Sequence, residues 1–230
     1  MLPAMMLADS IFSYVPVPAM GLLQAFAQAN LAGKAIVFIL LVLSFVAWTT
    51  MVGKWLELMK FKEQNQAFQR RLDATEQLLA VDPQLAAARG PFAHLGREAL
   101  QAYHGARGHH AIGHVENALQ RAVAWSQLRY ESRMTMLGSI VSGAPFLGLL
   151  GTVWGVMDAF GAITGQEGAS IATLAPGVSG ALLTTVAGLL VAIPSVFGYN
   201  YLLTQVKLQI TGLENFASIL ADRIELEAKD

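Results

Sequence analysis

The sequence predicts an all-α integral membrane protein with three transmembrane helices and long cytoplasmic helical extensions. Composition is the first reason: of 230 residues, 54% are hydrophobic and 13% charged, far from the balance of a water-soluble domain. The second is the spacing of the charges. None falls in the nineteen residues between Lys34 and Lys54, in the twenty-four from Met134 to Met157, or in the thirty-nine from Gly168 to Val206. Each run reaches the roughly 20 residues that a helix needs to cross about 30 Å of hydrocarbon. One such run is compatible with a buried core helix, but three in one chain leave that reading little room. The third reason is where the basic residues gather: eleven of the fifteen Lys and Arg lie between Lys54 and Arg133.

Basic residues beside a span stay cytoplasmic, so residues 57–133 form an internal helical domain. The connector GAITGQEGAS has no Lys or Arg and one acid, Glu167, which puts it outside. The chain then reads as an external segment 1–32, spans at 33–56, 134–162 and 172–203, an external loop 163–171 and an internal helix 204–230. Residues 1–32 lack a basic n-region, so a cleaved signal peptide is not expected. Within them GLLQAFAQANLAG reads as a short amphipathic helix at the outer surface.

Below the first span the helix turns amphipathic, with Phe61, Phe68, Leu72 and Leu79 at helical spacing and no breaker before Asp82-Pro83. A shorter helix is expected near Pro91–Tyr103. A longer one runs from about Ile112 to Arg133, with Val115, Leu119, Val123, Ser126 and Tyr130 on one face, and leads straight into the second span. The two long helices are expected to pack together. After the third span, Val206, Ile210, Leu213, Ala217, Leu220 and Ile224 continue the helical pattern. A helix of thirty-nine uncharged residues would reach about 58 Å, so part of it lies outside lipid or is covered by protein.

The two inner spans carry the candidate site. Gly148, Gly151, Thr152, Gly155 and Ala159 form one small-residue face, and Gly177, Ala181, Thr184, Gly188, Ala192 and Ser195 form another. Such faces let helix backbones approach closely in a membrane, so they meet other helices and not lipid. Pro145, Pro176 and Pro194 fall inside these spans and shape them. Ser179, Thr184 and Thr185 on one helix and Thr152 on the other are candidate ion-pathway hydroxyls; the plainer alternative is that each bonds back to its own helix. Asp158 is the single acid within the spans. It either reaches the outer interface or serves an ion path.

Other functions find little support. His110 and His114 have the i, i+4 spacing of a metal pair, but Glu116 is the one acid placed as a third ligand, and the 104–114 stretch reads as a solvated loop and helix start. No metal and no cofactor are expected. Without cysteine there are neither disulfides nor thiolate sites. A net charge of −1 gives no reason to expect nucleic acid. No nucleophile, base and orienting group converge, so an enzyme is not expected.

APFLGLLGTVWGVMDAF (144–160) followed by LAPGVSGALLTTVAGLLVAIPSVFGYN (174–200) resembles the MotA/TolQ/ExbB proton channel family, with the ExbB and TolQ branch nearest. The resemblance covers both inner spans and agrees with the long cytoplasmic insert. It implies a multi-pass protein of the bacterial inner membrane with its N-terminus in the periplasm and its C-terminus in the cytoplasm. Copies, in a pentamer, assemble as a ring around a dimer of an ExbD/TolR/MotB-type single-span partner, and a TonB- or TolA-type protein is a further possible partner. The partner supplies an intramembrane aspartate, the small faces with Gly148, Gly151, Gly155, Gly177, Gly180 and Gly188 line the pore, and Thr152 and Thr185 match family threonines. The implied function is a stator that couples proton flow, or sodium flow in a variant, to rotation and work at the envelope. Relatives carry a glutamate directly before the AL of the third span where this chain has Gly180. That departure leaves open a non-conducting scaffold that only anchors a partner.

Overall fold

The computed structural model describes residues 19–75, 77–79, 87–106, 111–162 and 171–229, with side chains from Gly21 onward and, in the last of these segments, from Leu174. The described residues form six helices and no strand. They are α1 (Ala19–Gln28), α2 (Leu31–Asp73), α3 (Pro91–Gly105), α4 (Ala111–Glu131), α5 (Met134–Gly161) and α6 (Ile171–Glu227). Three helical stretches, Leu31–Asp73, Ala111–Gly161 and Leu174–Glu227, are long and apolar enough to cross a membrane. The fold is thus the all-α membrane architecture that the uncharged runs predict. Helix α6 runs unbroken through Pro176 and Pro194, and α5 through Pro145.

Backbone contacts divide the chain into two compact units. One comprises the residues up to Ser44 with Ser142–Ile193, and the other comprises Phe45–Val141 with Pro194–Asp230. The second unit is the amphipathic bundle. Leu58, Phe61, Phe68 and Leu72 of α2, Val115, Ala118, Leu119, Ala122, Ser126 and Tyr130 of α4, and Leu213, Phe216, Leu220 and Ile224 of α6 are all buried. Phe216 anchors it, stacking on Phe92 at 4.1 Å between ring centroids and meeting Phe68 edge-on at 6.0 Å. Sequence periodicity singles out Ala217 in its place; Ala217 is only half-buried.

Polar side chains on one helix tie off the ends of others. Asn65 of α2 donates from Nδ2 to the Tyr130 hydroxyl of α4 at 3.1 Å and accepts the Phe92 N–H at the start of α3 at 3.1 Å. One buried amide therefore joins three helices and satisfies an N-terminal donor that α3 cannot pair within itself. Gly90, just before α3, has φ 116°, and a Cβ there would stand 2.8 Å from Gln64 Cβ. Backbone conformation and space both require glycine. The Lys54 ammonium, fully buried, pairs with Glu57 at 3.1 Å and donates to the Arg129 carbonyl at 3.2 Å near the end of α4. A cation there also suits the negative end of the helix dipole.

Two boundaries within the second unit differ from the sequence expectation. Helix α2 ends at Asp73 instead of running towards Asp82-Pro83, which lie outside the described residues. The cause is tertiary. The Arg223 guanidinium of α6 donates to the Leu72 and Thr75 carbonyls, and the Glu227 carboxylate accepts the Leu78 and Leu79 N–H groups at 2.8 and 2.9 Å. These bonds satisfy backbone groups that a longer helix would pair internally. The second difference is between α4 and α5, which are not one helix: Ser132 and Arg133 form a turn, with Arg133 at φ 68°. A left-handed arginine costs about 1 kcal/mol or more, and the Lys54 bond to the Arg129 carbonyl holds the turn.

Burial pushes the Tyr130 hydroxyl up to about 12, against a smaller lowering by Asn65. The folded state thus favours the protonated phenol. Its contribution to stability is complete below pH 10 and is lost as pH rises from 10 towards 12. Thermal midpoints of the detergent-solubilised protein should fall over that window, and Tyr130→Phe should flatten the fall. Asn65→Ala removes two buried bonds at once and should cost about 2 kcal/mol, read as a lowered midpoint at neutral pH.

Candidate ion-pathway site

In the first unit α5 and α6 run antiparallel, and their small faces meet backbone to backbone. A Cβ added at Gly148 would lie 2.7 Å from the Thr184 carbonyl oxygen and 3.0 Å from Thr185 Cα; one at Gly188 would lie 2.7 Å from the Ala144 carbonyl oxygen. At Gly151 it would meet Thr184 Cβ at 2.6 Å, at Gly155 Ala181 Cβ at 2.6 Å, and at Gly177 Ala159 Cβ at 2.9 Å. The pairs descend one helix as they climb the other, so one seam of glycine, alanine and threonine runs the length of the contact. Gly148, Gly151, Gly155 and Gly188 are buried in this seam. They join two helices of one chain.

Close approach brings the hydroxyls together around one carbonyl. Gly148 O faces Thr184 Oγ1 at 2.9 Å and Thr185 Oγ1 at 3.2 Å. Thr184 also reaches its own Ala181 carbonyl at 2.7 Å and is fully buried. Thr152 Oγ1 donates to the Leu149 carbonyl at 2.7 Å, which leaves its lone pairs to accept from Thr185 Oγ1 at 3.4 Å. Back-bonding to the parent helix therefore accounts for Thr152 and part of Thr184, while Thr185 bonds across to the other helix. Thr152 and Thr185 are half-buried and hence reachable, unlike Thr184.

The other candidates stand apart. Ser179 is exposed on α6, outside the cluster. Asp158 Oδ2 accepts from Asn30 Nδ2 at 3.1 Å, and the Asn30 Oδ1 accepts the Gly33 N–H at 2.7 Å. Asn30 is thus the N-cap of α2 and at the same time the partner of the span's acid. It was not among the sequence candidates, although an Asn immediately before an apolar helix is a cap signal. Gly180 is buried against the turn between α1 and α2. A Cβ there would lie 2.8 Å from Ala29 Cα, 2.9 Å from Ala29 N and 3.2 Å from the Ala25 carbonyl oxygen. The absent acid thus has a packing reason: the N-terminal backbone fills the room that a side chain at 180 would need. Among the described residues no three His, Cys, Asp or Glu gather as a metal site. His109 and His110 lie outside the described residues.

Helices of this length meeting on a small-residue seam lined with hydroxyls define a multi-span helical membrane protein. Comparison with known proteins makes the class specific. The model of the MotA/TolQ/ExbB proton channel family matches residues 87–215. Biopolymer transport protein ExbB of Neisseria meningitidis serogroup A is 35% identical over 212 residues, 84% of this chain and 92% of that protein. ExbB of Pseudomonas putida is 34% identical over 178 residues, covering 75% of this chain and 54% of its own. Tol-Pal system protein TolQ of Pseudomonas aeruginosa is 38% identical over 86 residues, 37% of each chain. This chain belongs to the MotA/TolQ/ExbB proton channel family and is a channel subunit of its ExbB and TolQ type.

The seam sets a graded substitution test. Gly148→Ala places a methyl against backbone atoms that cannot yield, and should cost about 1–3 kcal/mol. Thr184→Val keeps the shape and loses one bond, for about 1 kcal/mol. Gly143, whose Cβ position has no described atom within 4 Å apart from its own stretch of helix, should accept alanine at no cost. Midpoints of the three purified variants in detergent check this order.

Proposed function

We propose that copies of this chain, five by the pattern its resemblance implies, form a ring around the single spans of an ExbD/TolR/MotB-type dimer. In this reading the ring conducts protons down the inner-membrane gradient and turns the partner. The observation that supports it best is the Thr152–Thr185 pair, two reachable hydroxyls 3.4 Å apart on facing helices. A carboxylate carried into hydrocarbon is costly. Hydroxyls that accept from its protonated form and donate to its ionised form lower that cost in both states. One charge falling through 100 mV releases about 2.3 kcal/mol, so a step of this size needs a path without deep traps. Neutral hydroxyls on a closely packed seam suit it.

The basic cluster from Lys54 to Arg133 supports a cytoplasmic location for residues 57–133 and a periplasmic one for residues 163–171. The work done is import through a TonB-type protein, envelope maintenance through a TolA-type one, or gliding; the Neisseria relative's name favours transport of biopolymers. Protons are preferred over sodium, although a hydroxyl cluster can also ligate sodium.

Reconstitution with the partner into vesicles that carry an internal pH dye tests this reading. Thr152→Ala and Thr185→Ala should each lower proton uptake at least about ten-fold, roughly 1.4 kcal/mol on the barrier, with assembly on a sizing column unchanged. Wild-type rates in both variants would make the hydroxyls packing residues. No uptake in the wild-type complex would favour the scaffold, and uptake set by sodium instead of pH would change the ion.

A further inference from the structure

We infer that Asp158 is a positioning residue. Its carboxylate holds the turn between α1 and α2 in place through Asn30, and that turn presses on the hydroxyl seam. The inference rests on the channel reading for its consequence in flux, but its structural part stands alone.

Four contacts carry it, all within the first unit. The Asp158 carboxylate, on the last turn of α5, accepts from Asn30 Nδ2 at 3.1 Å. The same amide caps α2 through the Gly33 N–H at 2.7 Å. Gly33 in turn faces α6: a Cβ there would lie 3.7 Å from Thr184 Cγ2. One residue before the cap, Ala29 is buried on Gly180, whose Cβ position is 2.8 Å from Ala29 Cα. An amide with its oxygen committed to a helix cap has only its N–H groups left to give. Asp158 supplies an acceptor. The start of α2 is thereby fixed to α5 by a hydrogen bond and to α6 by backbone contact, and Thr184 lies where the three helices meet. The acid of the second span is engaged in this clamp, and the glycine where relatives present an acid is its socket. The engagement of Asp158 and the closing of position 180 then have one cause.

Chemistry separates a clamp from an ion-path acid. The clamp needs an acceptor oxygen at 158, which asparagine also has; an ion path needs a group that titrates. Asp158→Asn should therefore retain proton uptake within about two-fold of the wild type, and Asp158→Ala should lose most of it. Asn30→Asp keeps the cap but sets a carboxylate against Asp158, and should behave like Asp158→Ala. The exchange Asn30→Asp with Asp158→Asn rebuilds one donor and one acceptor and should restore uptake.

Hydrogen exchange of the α1 and early α2 amides, measured on the same full-length complexes in vesicles, provides the second readout. Protection should fall in Asp158→Ala and Asn30→Asp and return in the exchanged pair. An Asp158→Asn variant that is fully protected but does not conduct would overturn the inference and make Asp158 an ion-path acid. Unchanged protection in all variants would overturn it as well. If the wild-type complex conducts nothing, the channel reading fails, and the exchange pattern still decides the clamp.

Discussion

The closeness of two helix backbones is the constraint on which the membrane unit depends. Lipid offers no hydrophobic drive for one apolar helix to join another, so association must come from packing and from the few polar bonds that packing permits. Gly148 and Gly188 remove side chains at the tightest point, where a Cβ on Gly188 would be 3.2 Å from Gly148 Cα. Only at that distance can Thr184 and Thr185 reach a carbonyl of the facing helix. The glycines and the threonines are therefore one device: small residues create the approach, and hydroxyls exploit it. The large residues turn elsewhere, with Phe146, Leu150, Trp154 and Met157 of α5 exposed for lipid or a neighbouring molecule.

The second unit uses another means to the same end. There, long side chains reach across to satisfy backbone groups at helix ends, as Asn65 does for α3, Lys54 for α4 and Arg223 for α2. A helix end has about four unpaired groups, and a bundle with several ends must supply partners or water for all. Each capping residue comes from a different point in the chain than the end it serves. The bonds consequently fix tertiary arrangement as well as local structure. Glu227 makes the point most sharply, since it takes two consecutive N–H groups about 150 positions away in sequence.

This explains which parts of the structure were legible. Helix existence and spans could be read from Lys34, Lys54 and the uncharged runs, because length and hydropathy decide them locally. The small faces of α5 and α6 were legible from spacing alone, whereas the hydroxyl cluster was legible only in part: Thr152, Thr184 and Thr185 meet and Ser179 does not. What could not be read depends on distant partners. The end of α2 at Asp73 follows from Arg223, and the turn at Arg133 from Lys54. Asn30 fell inside the stretch read as an amphipathic helix, and its bond to Asp158 depends on a residue 128 positions away. Gly180 looked like a loss, because a sequence shows a missing side chain but not the backbone of Ala29 that occupies its place.

That last point bears on how the work is divided in the proposed channel. A buried carboxylate on the ring itself would titrate with its surroundings and add its own pH dependence to transport. Among the described residues, Asp158 is bonded to Asn30 and position 180 is closed by the Ala29 backbone. Threonine hydroxyls stay neutral across the physiological range, so they can receive either form of a visiting carboxylate without changing state themselves. In the proposed unit the hydroxyl pair is then an electrostatically constant part of the surface. On that proposal the titrating acid at the hydroxyls is the partner's, and the pH dependence of transport would follow it.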